Sequence, residues 1–251
     1  MERQIANEIR EFAEELDFAL RMVKYAQDIS SYSKHICFSK ICDIEERSLY
    51  AQKMIHPFLA EQTNVVSNDI SIGNGREFIL LGGVNRGGKT TYLRTMGVVQ
   101  LLFQMGLPIP AASAAISPAS GIFSIFSRVE DTELYQGKLG RELTELRDII
   151  AMLDNNSLFL GNEPVSGTSP TESYLLSREA LCMLKAKRVR GIWVTHLFGL
   201  FDDVEKLNNL NFGIRFECMH TEYTDGERSY VISLGKPKKY SGAKEVFLRC
   251  N

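Results

Sequence analysis

The sequence predicts an α/β fold, with a central, mostly parallel sheet flanked by helices and preceded by a long amphipathic helix. Three observations predict it. The runs Phe78-Ile79-Leu80-Leu81, Leu158-Phe159-Leu160 and Gly191-Ile192-Trp193-Val194 are apolar without alternation, the form of strands covered on both faces. Stretches with apolar residues at steps of three and four separate these runs, as helices that cross between parallel strands do. Each run hands over to glycine-rich or polar residues at its carboxyl end, the edge at which such sheets carry ligands.

Taken in order, Ile5, Ile9, Phe12, Leu16, Leu20 and Val23 mark one face of a long helix with charged residues opposite. That face can pack on the globular body or on a partner helix. Between Ser30 and Asn74 the pattern breaks into short strands and loops, among them Val65-Val66 and Ile70-Ser71-Ile72, punctuated by His56-Pro57. Residues 1–46 read as a helical segment and 47–251 as the catalytic-type domain. Tyr92 to Met105 reads as a helix ended by Gly106, Pro108 and Pro110, and Ala111 to Ser127 is small, apolar and without clear period. Leu139, Leu143, Leu146, Ile149, Ile150 and Leu153 give a further helix. Ser169-Pro170-Thr171-Glu172 is a capping box with proline at the first helical position, opening a helix that runs to about Lys187. The basic residues Lys185, Lys187, Arg188 and Arg190 fit the negative end of that helix better than a nucleic-acid patch. Asn211 to Leu234 alternates around Asp225-Gly226, a hairpin signal.

Composition sets bounds: 251 residues at 44% hydrophobic content suffice for a large core, and a formal charge of -2 gives no global attraction to nucleic acid. Five cysteines, without a CxxC pair, read as reduced thiols; His35, Cys37 and Cys42, even joined by Cys218 and His220, make a poor metal site. The chain has neither an apolar run of membrane-span length nor a signal-peptide core, which predicts a cytoplasmic location and no membrane partner.

The densest signal is Gly83-Val84-Asn85-Arg86-Gly87-Gly88-Lys89-Thr90, placed between an apolar strand and a helix. Glycines let the backbone wrap so that successive N–H groups face one anion, and the following helix adds its positive end. Lys89 then reaches the β- and γ-phosphates of a nucleoside triphosphate, and the Thr90 hydroxyl serves Mg²⁺. Two further strand ends supply Glu163, to orient or deprotonate a water, and His196, to sense the γ-phosphate or hold that water. Together these outline a hydrolytic nucleotide site. A kinase is the weaker alternative, since no acceptor site is visible.

These residues resemble the ATPase domain of the MutS family of DNA mismatch-repair proteins, within the ABC-type P-loop NTPases. The phosphate loop Gly83 to Thr91 with Tyr92, including Asn85 and the paired Gly87-Gly88, carries the resemblance, as do Gly167-Thr168-Ser169 and Thr195-His196. Ile125-Phe126-Ser127-Arg128-Val129 and Tyr240-Ser241-Gly242 are similar to family segments too, and the match runs from about His56 to the end. The resemblance implies an ATPase that binds ATP or ADP with Mg²⁺ and pairs with a second copy so that nucleotides lie at the interface. The amino-terminal helix would be the end of a lever joining DNA-clamping domains to the ATPase. DNA would be handled by domains without counterpart here, so the chain reads as an excised ATPase module or a reduced relative.

Departures from the family pattern bear on mechanism. Its aspartate before the catalytic glutamate is Asn162 here, so the metal set becomes Thr90, Asn162 and Glu163, with one negative charge fewer. The serine and threonine with which the family reaches the other subunit's γ-phosphate align with Gly137 and Lys138, and its adenine-stacking aromatic with Val65. Two readings follow: an ATPase switch, or a nucleotide-gated interaction module with little or no turnover.

Overall fold

The computed structural model describes residues 2–73, 75–126, 137–224 and 227–238. Ser127-Arg128-Val129, the Asp225-Gly226 turn, Tyr240-Ser241-Gly242 and Cys250 lie outside the described residues.

The main sheet follows from the apolar runs. Its strands are β4 (Phe78–Gly82), β6 (Ile122–Phe126), β7 (Leu158–Asn162), β8 (Arg190–Val194), β9 (Phe216–Thr224) and β10 (Glu227–Leu234), in spatial order β10-β9-β4-β8-β7-β6. Neighbours are parallel from β9 through to β6, and only β10 runs antiparallel, to β9. Every residue of β4 and β8 is buried. Alternation along β4 then sorts the core into two layers. Ile79 and Leu81 pack with Leu93, Met96 and Val99 of α2 (Lys89–Gln104). Phe78 and Leu80 face the other layer, with Leu146 and Ile150 of α3 (Lys138–Met152), Leu181 and Leu184 of α4 (Pro170–Ala186), and Leu200 and Phe201 of α5 (Phe198–Asn208). The Ser169 hydroxyl accepts from Glu172 N–H at 3.3 Å and so caps α4, while the Glu172 carboxylate accepts from the Thr168 and Ser169 hydroxyls.

A second sheet lies on the α2 side, ordered β1-β5-β2-β3, where β1 is Lys40–Ile41, β2 Leu49–Met54, β3 Asn68–Ile72 and β5 Ser113–Ile116. Two stretches carry more structure than their patterns announce. Within 1–46, α1 (Glu2–Tyr32) and a short 3₁₀ turn at Ile44–Glu46 are helical, while Lys40–Ile41 pairs in parallel with Ala115 and Ile116, which ties this stretch to the body. The aperiodic stretch Ala111 to Ser127 supplies both β5 and β6, because each is short and partnered by strands far away in sequence.

Three of the four basic residues, Lys185, Lys187 and Arg190, bond backbone carbonyls, while Arg188 is exposed. Arg190, fully buried, donates to Ser48 O at 2.9 Å, Pro118 O at 3.0 Å and Ser117 O at 3.1 Å, joining the two sheets, and burial pushes its pKa down to about 10. Lys187 donates to Leu153 O at 2.8 Å, and Lys185 to Ile214 O beneath the rings of Phe212 and Phe216. α1 leaves Ile5, Ile9, Phe12, Leu16, Leu20 and Val23 exposed and meets the body at Tyr25, whose hydroxyl donates to Pro108 O, and at buried Ile29. Among the described residues no helix is long and apolar enough to cross a membrane.

Candidate nucleotide site

Because β4, β7 and β8 are parallel neighbours, in the order β4-β8-β7, their carboxyl ends open on one edge of the sheet. After β4 the chain turns through Gly83 (φ +118°), Arg86 (φ +59°) and Gly88 (φ +91°) into α2. A Cβ on Gly83 would stand 2.2 Å from Thr221 Oγ1 and 2.9 Å from Thr221 N, so strand β9 leaves room there for glycine alone. Lys89 is buried and its ammonium donates to Val84 O at 2.7 Å and Gly83 O at 3.0 Å, which folds the side chain back over the loop. Desolvation lowers its pKa, opposed by the charge of Glu163. The result is a cationic group tied to two loop carbonyls at the start of α2, whose first backbone N–H groups have no partner within the helix, a combination suited to an anion.

A second polar cluster forms where α2 meets β7. Thr90 Oγ1 donates to Asn162 Oδ1 at 3.3 Å, so these two sequence-predicted ligands touch. Glu163 follows directly, with its N–H on Val194 O at 3.0 Å and a left-handed backbone (φ +52°), a conformation that costs a non-glycine residue about 1–2 kcal/mol. His196 Nε2 lies 3.3 Å from Glu163 Oε1. That hydrogen bond, aided by the charges of His196, Lys89 and Lys138 against the opposing effect of burial, holds the Glu163 carboxyl below its ordinary pKa. An ionised carboxylate of this kind is a weak base and a good acceptor, better suited to orienting a water than to removing its proton outright.

A cavity of about 470 Å³ extends from the loop along the second sheet. Gly87 to Tyr92 form one wall, and Met54, His56, Val65, Val66 and Asn68 the other. Val65 lines this cavity together with the loop residues. Tyr230 was missed: its ring reaches over the loop, with Cδ1 3.5 Å from the Cβ position of Gly88. It gets there through a bulge in the β9–β10 ladder, with Tyr230 at φ +57° and the Asn68 amide pinning both sides, donating to Tyr230 O at 3.0 Å and accepting from Ile232 N–H at 2.8 Å.

Residues 79–244 match MutS domain V. The chain belongs to the MutS family. It is 32% identical over 227 residues to Endonuclease MutS2 of Ligilactobacillus salivarius, covering 88% of this chain and 27% of that protein. It is 29% identical over 237 residues to Endonuclease MutS2 of Clostridium novyi, 94% of this chain and 28% of the relative. A DNA mismatch repair protein MutS from Parasynechococcus marenigrum is 31% identical over 179 residues, 69% of this chain and 20% of that one. The chain thus spans about a quarter of the length of the relatives it matches.

Seen as a MutS domain V, the site divides into residues brought together and residues held apart. Lys89, Thr90, Asn162, Glu163 and His196 converge at the sheet edge. Gly137 and Lys138 open α3 and are not part of the cavity wall; Lys138 Nζ sits 4.0 Å from Glu142 Oε1. Asn85 and Arg86 are exposed, and Arg86 also lines the cavity. Thr91 lines the cavity, and its carbonyl accepts from the Thr95 hydroxyl at 2.7 Å.

Proposed function

We propose that this MutS-family domain binds ATP with Mg²⁺ and hydrolyses it at a reduced rate, acting as a nucleotide switch in a DNA-repair-related protein. The observation that carries the reading is the convergence of the Lys89 cradle, the Thr90–Asn162 pair and the Glu163–His196 pair at three adjacent strand ends, beside a cavity large enough for a nucleoside. Lys89 neutralises phosphate charge, Glu163 aligns the attacking water, and His196 holds Glu163 while facing the γ-phosphate position. The donor set suits Mg²⁺, whose coordination ordinarily rests on one or two carboxylates, hydroxyls and the nucleotide's own oxygens. Thr90 would hold it directly and Asn162 would accept from its water; the ion would neutralise developing phosphate charge.

Two copies would pair with nucleotides at their interface, Gly137 and Lys138 at the start of α3 reaching the partner's γ-phosphate. α1, with its exposed apolar stripe, would transmit that state to DNA-binding domains outside this chain. The names of the relatives, an endonuclease and a mismatch-repair protein, support DNA as the eventual partner. A second reading, nucleotide-gated binding without turnover, is favoured by the neutral Asn162.

Calorimetric titration with ATP tests the binding claim. The unmodified chain should bind, and Lys89→Ala should lose at least 20-fold in affinity, about 2 kcal/mol for a charged hydrogen-bonding group. An equal heat signal from Lys89→Ala would move nucleotide binding away from this loop.

A further inference from the structure

Glu142 lies one turn into α3 with its side chain 12% exposed. Oε2 accepts from the backbone N–H groups of Ser166 at 2.9 Å and Gly167 at 2.8 Å, and Oε1 accepts from the Ser166 hydroxyl at 2.8 Å. Three charge-assisted bonds from two consecutive residues of another segment make a clamp, stronger and more directional than an ordinary surface contact. The segment is pressed tight: a Cβ on Gly167 would lie 2.8 Å from Leu139 N and 3.1 Å from Glu142 Oε2.

The clamped segment is the loop that carries Glu163. Pro164 and Val165 alone separate Glu163 from Ser166. On the strand side the loop is anchored by the Glu163 N–H on Val194 O, and on the helix side by the Ser169 cap of α4. Between these anchors the Ser166 and Gly167 amides go to Glu142. Glu163 holds a left-handed backbone, a state that lasts only where its surroundings over-determine it.

We propose that Glu142 is a positioning residue for Glu163. It locks residues 166–167 to the first turn of α3, so that Glu163 stays against His196 and a displacement of the α3 start becomes a displacement of that carboxylate. The inference rests on the reading of Glu163 as the residue that aligns the attacking water. It adds a route: a second copy engaging Gly137 and Lys138 reaches Glu163 through Glu142, four residues further along the same helix.

The test uses the whole chain with Glu142→Ala and Glu142→Gln, followed by ATP titration, steady-state turnover and residue-resolved amide exchange. The glutamine's carbonyl can still accept both backbone N–H groups while its NH₂ donates to Ser166 Oγ, so this variant keeps the clamp without the charge. Glu142→Ala should bind ATP within threefold of the unmodified chain, lose at least tenfold in kcat with KM little changed, and exchange the Ser166 and Gly167 amides at least tenfold faster. Glu142→Gln should recover most of both losses. Unchanged exchange and unchanged kcat in Glu142→Ala overturn the proposal. So does a parallel loss of ATP binding and melting temperature in both variants, which would make Glu142 a general structural support. If the unmodified chain binds no ATP, the nucleotide reading itself fails, while exchange in the nucleotide-free protein still decides whether the clamp exists.

Discussion

The two sides of the cavity are built with unequal constraint. On the loop side, Gly83 fits against Thr221 with no space for a side chain, Lys89 is buried among the carbonyls it bonds, and α2 starts directly beneath. On the strand-end side, Asn162 is half-buried and offers a neutral amide, Glu163 and His196 are each more than a third exposed, and Glu163 sits in a strained backbone state. Under the proposed function, the first side would hold a triphosphate and the second would cleave it. Holding and cleaving should therefore separate experimentally.

The largest separation is expected at Glu163. Glu163→Gln keeps the side chain's length and a carbonyl for His196 to meet, but removes the charge to which the proposed function gives the alignment of water. Turnover should fall by about 10²–10⁴-fold, the range of a single acid–base or water-orienting group, with ATP affinity changed less than threefold. A matching loss of affinity would join the two sides into one binding unit and break the comparison. Asn162→Asp works in the opposite direction and more weakly. Restoring a charge at 3.3 Å from Thr90 Oγ1 should tighten the Mg²⁺ dependence of binding and raise turnover about tenfold. Tighter Mg²⁺ binding with no turnover at all would favour the nucleotide-gated interaction module.

Which parts could be read from sequence follows the same division. The phosphate loop was legible because its geometry is coded locally: eight consecutive residues meet the demands of one turn. Glu163 and His196 were legible because a parallel strand reports its own carboxyl end. The four-stranded sheet was not, since β1 has two residues and β5 is Ser-Ala-Ala-Ile, too short and too small to show a period, and their partners lie tens of residues away. Arg190 read as one of a helix-end cluster, yet it is the buried joint between sheets, because nothing in the sequence places Ser48, Ser117 and Pro118 around it. Glu142 was invisible for the same reason: its meaning lies in the backbone of Ser166 and Gly167, which no side-chain pattern announces.

The smallest effect concerns the part of the cavity where the proposed function would seat a base; the sequence offered Val65 there and the structure adds Tyr230. A tyrosine ring over the loop can stack on a nucleobase, an interaction worth about 0.5–1.5 kcal/mol. Tyr230→Ala should therefore weaken ATP binding about three- to tenfold and Tyr230→Phe hardly at all, since the ring and not the hydroxyl makes the contact. Tripolyphosphate, which has no base, separates base contact from loop support: its affinity should be the same for Tyr230→Ala and the unmodified chain. Asn68→Ala should give a similar but milder loss for ATP, because the Asn68 amide bonds both Tyr230 O and Ile232 N–H and so sets where the bulge presents the ring. If tripolyphosphate binding drops along with ATP binding, Tyr230 is shaping the phosphate loop through its contact with Gly88, and the base end of the cavity belongs to the loop side after all.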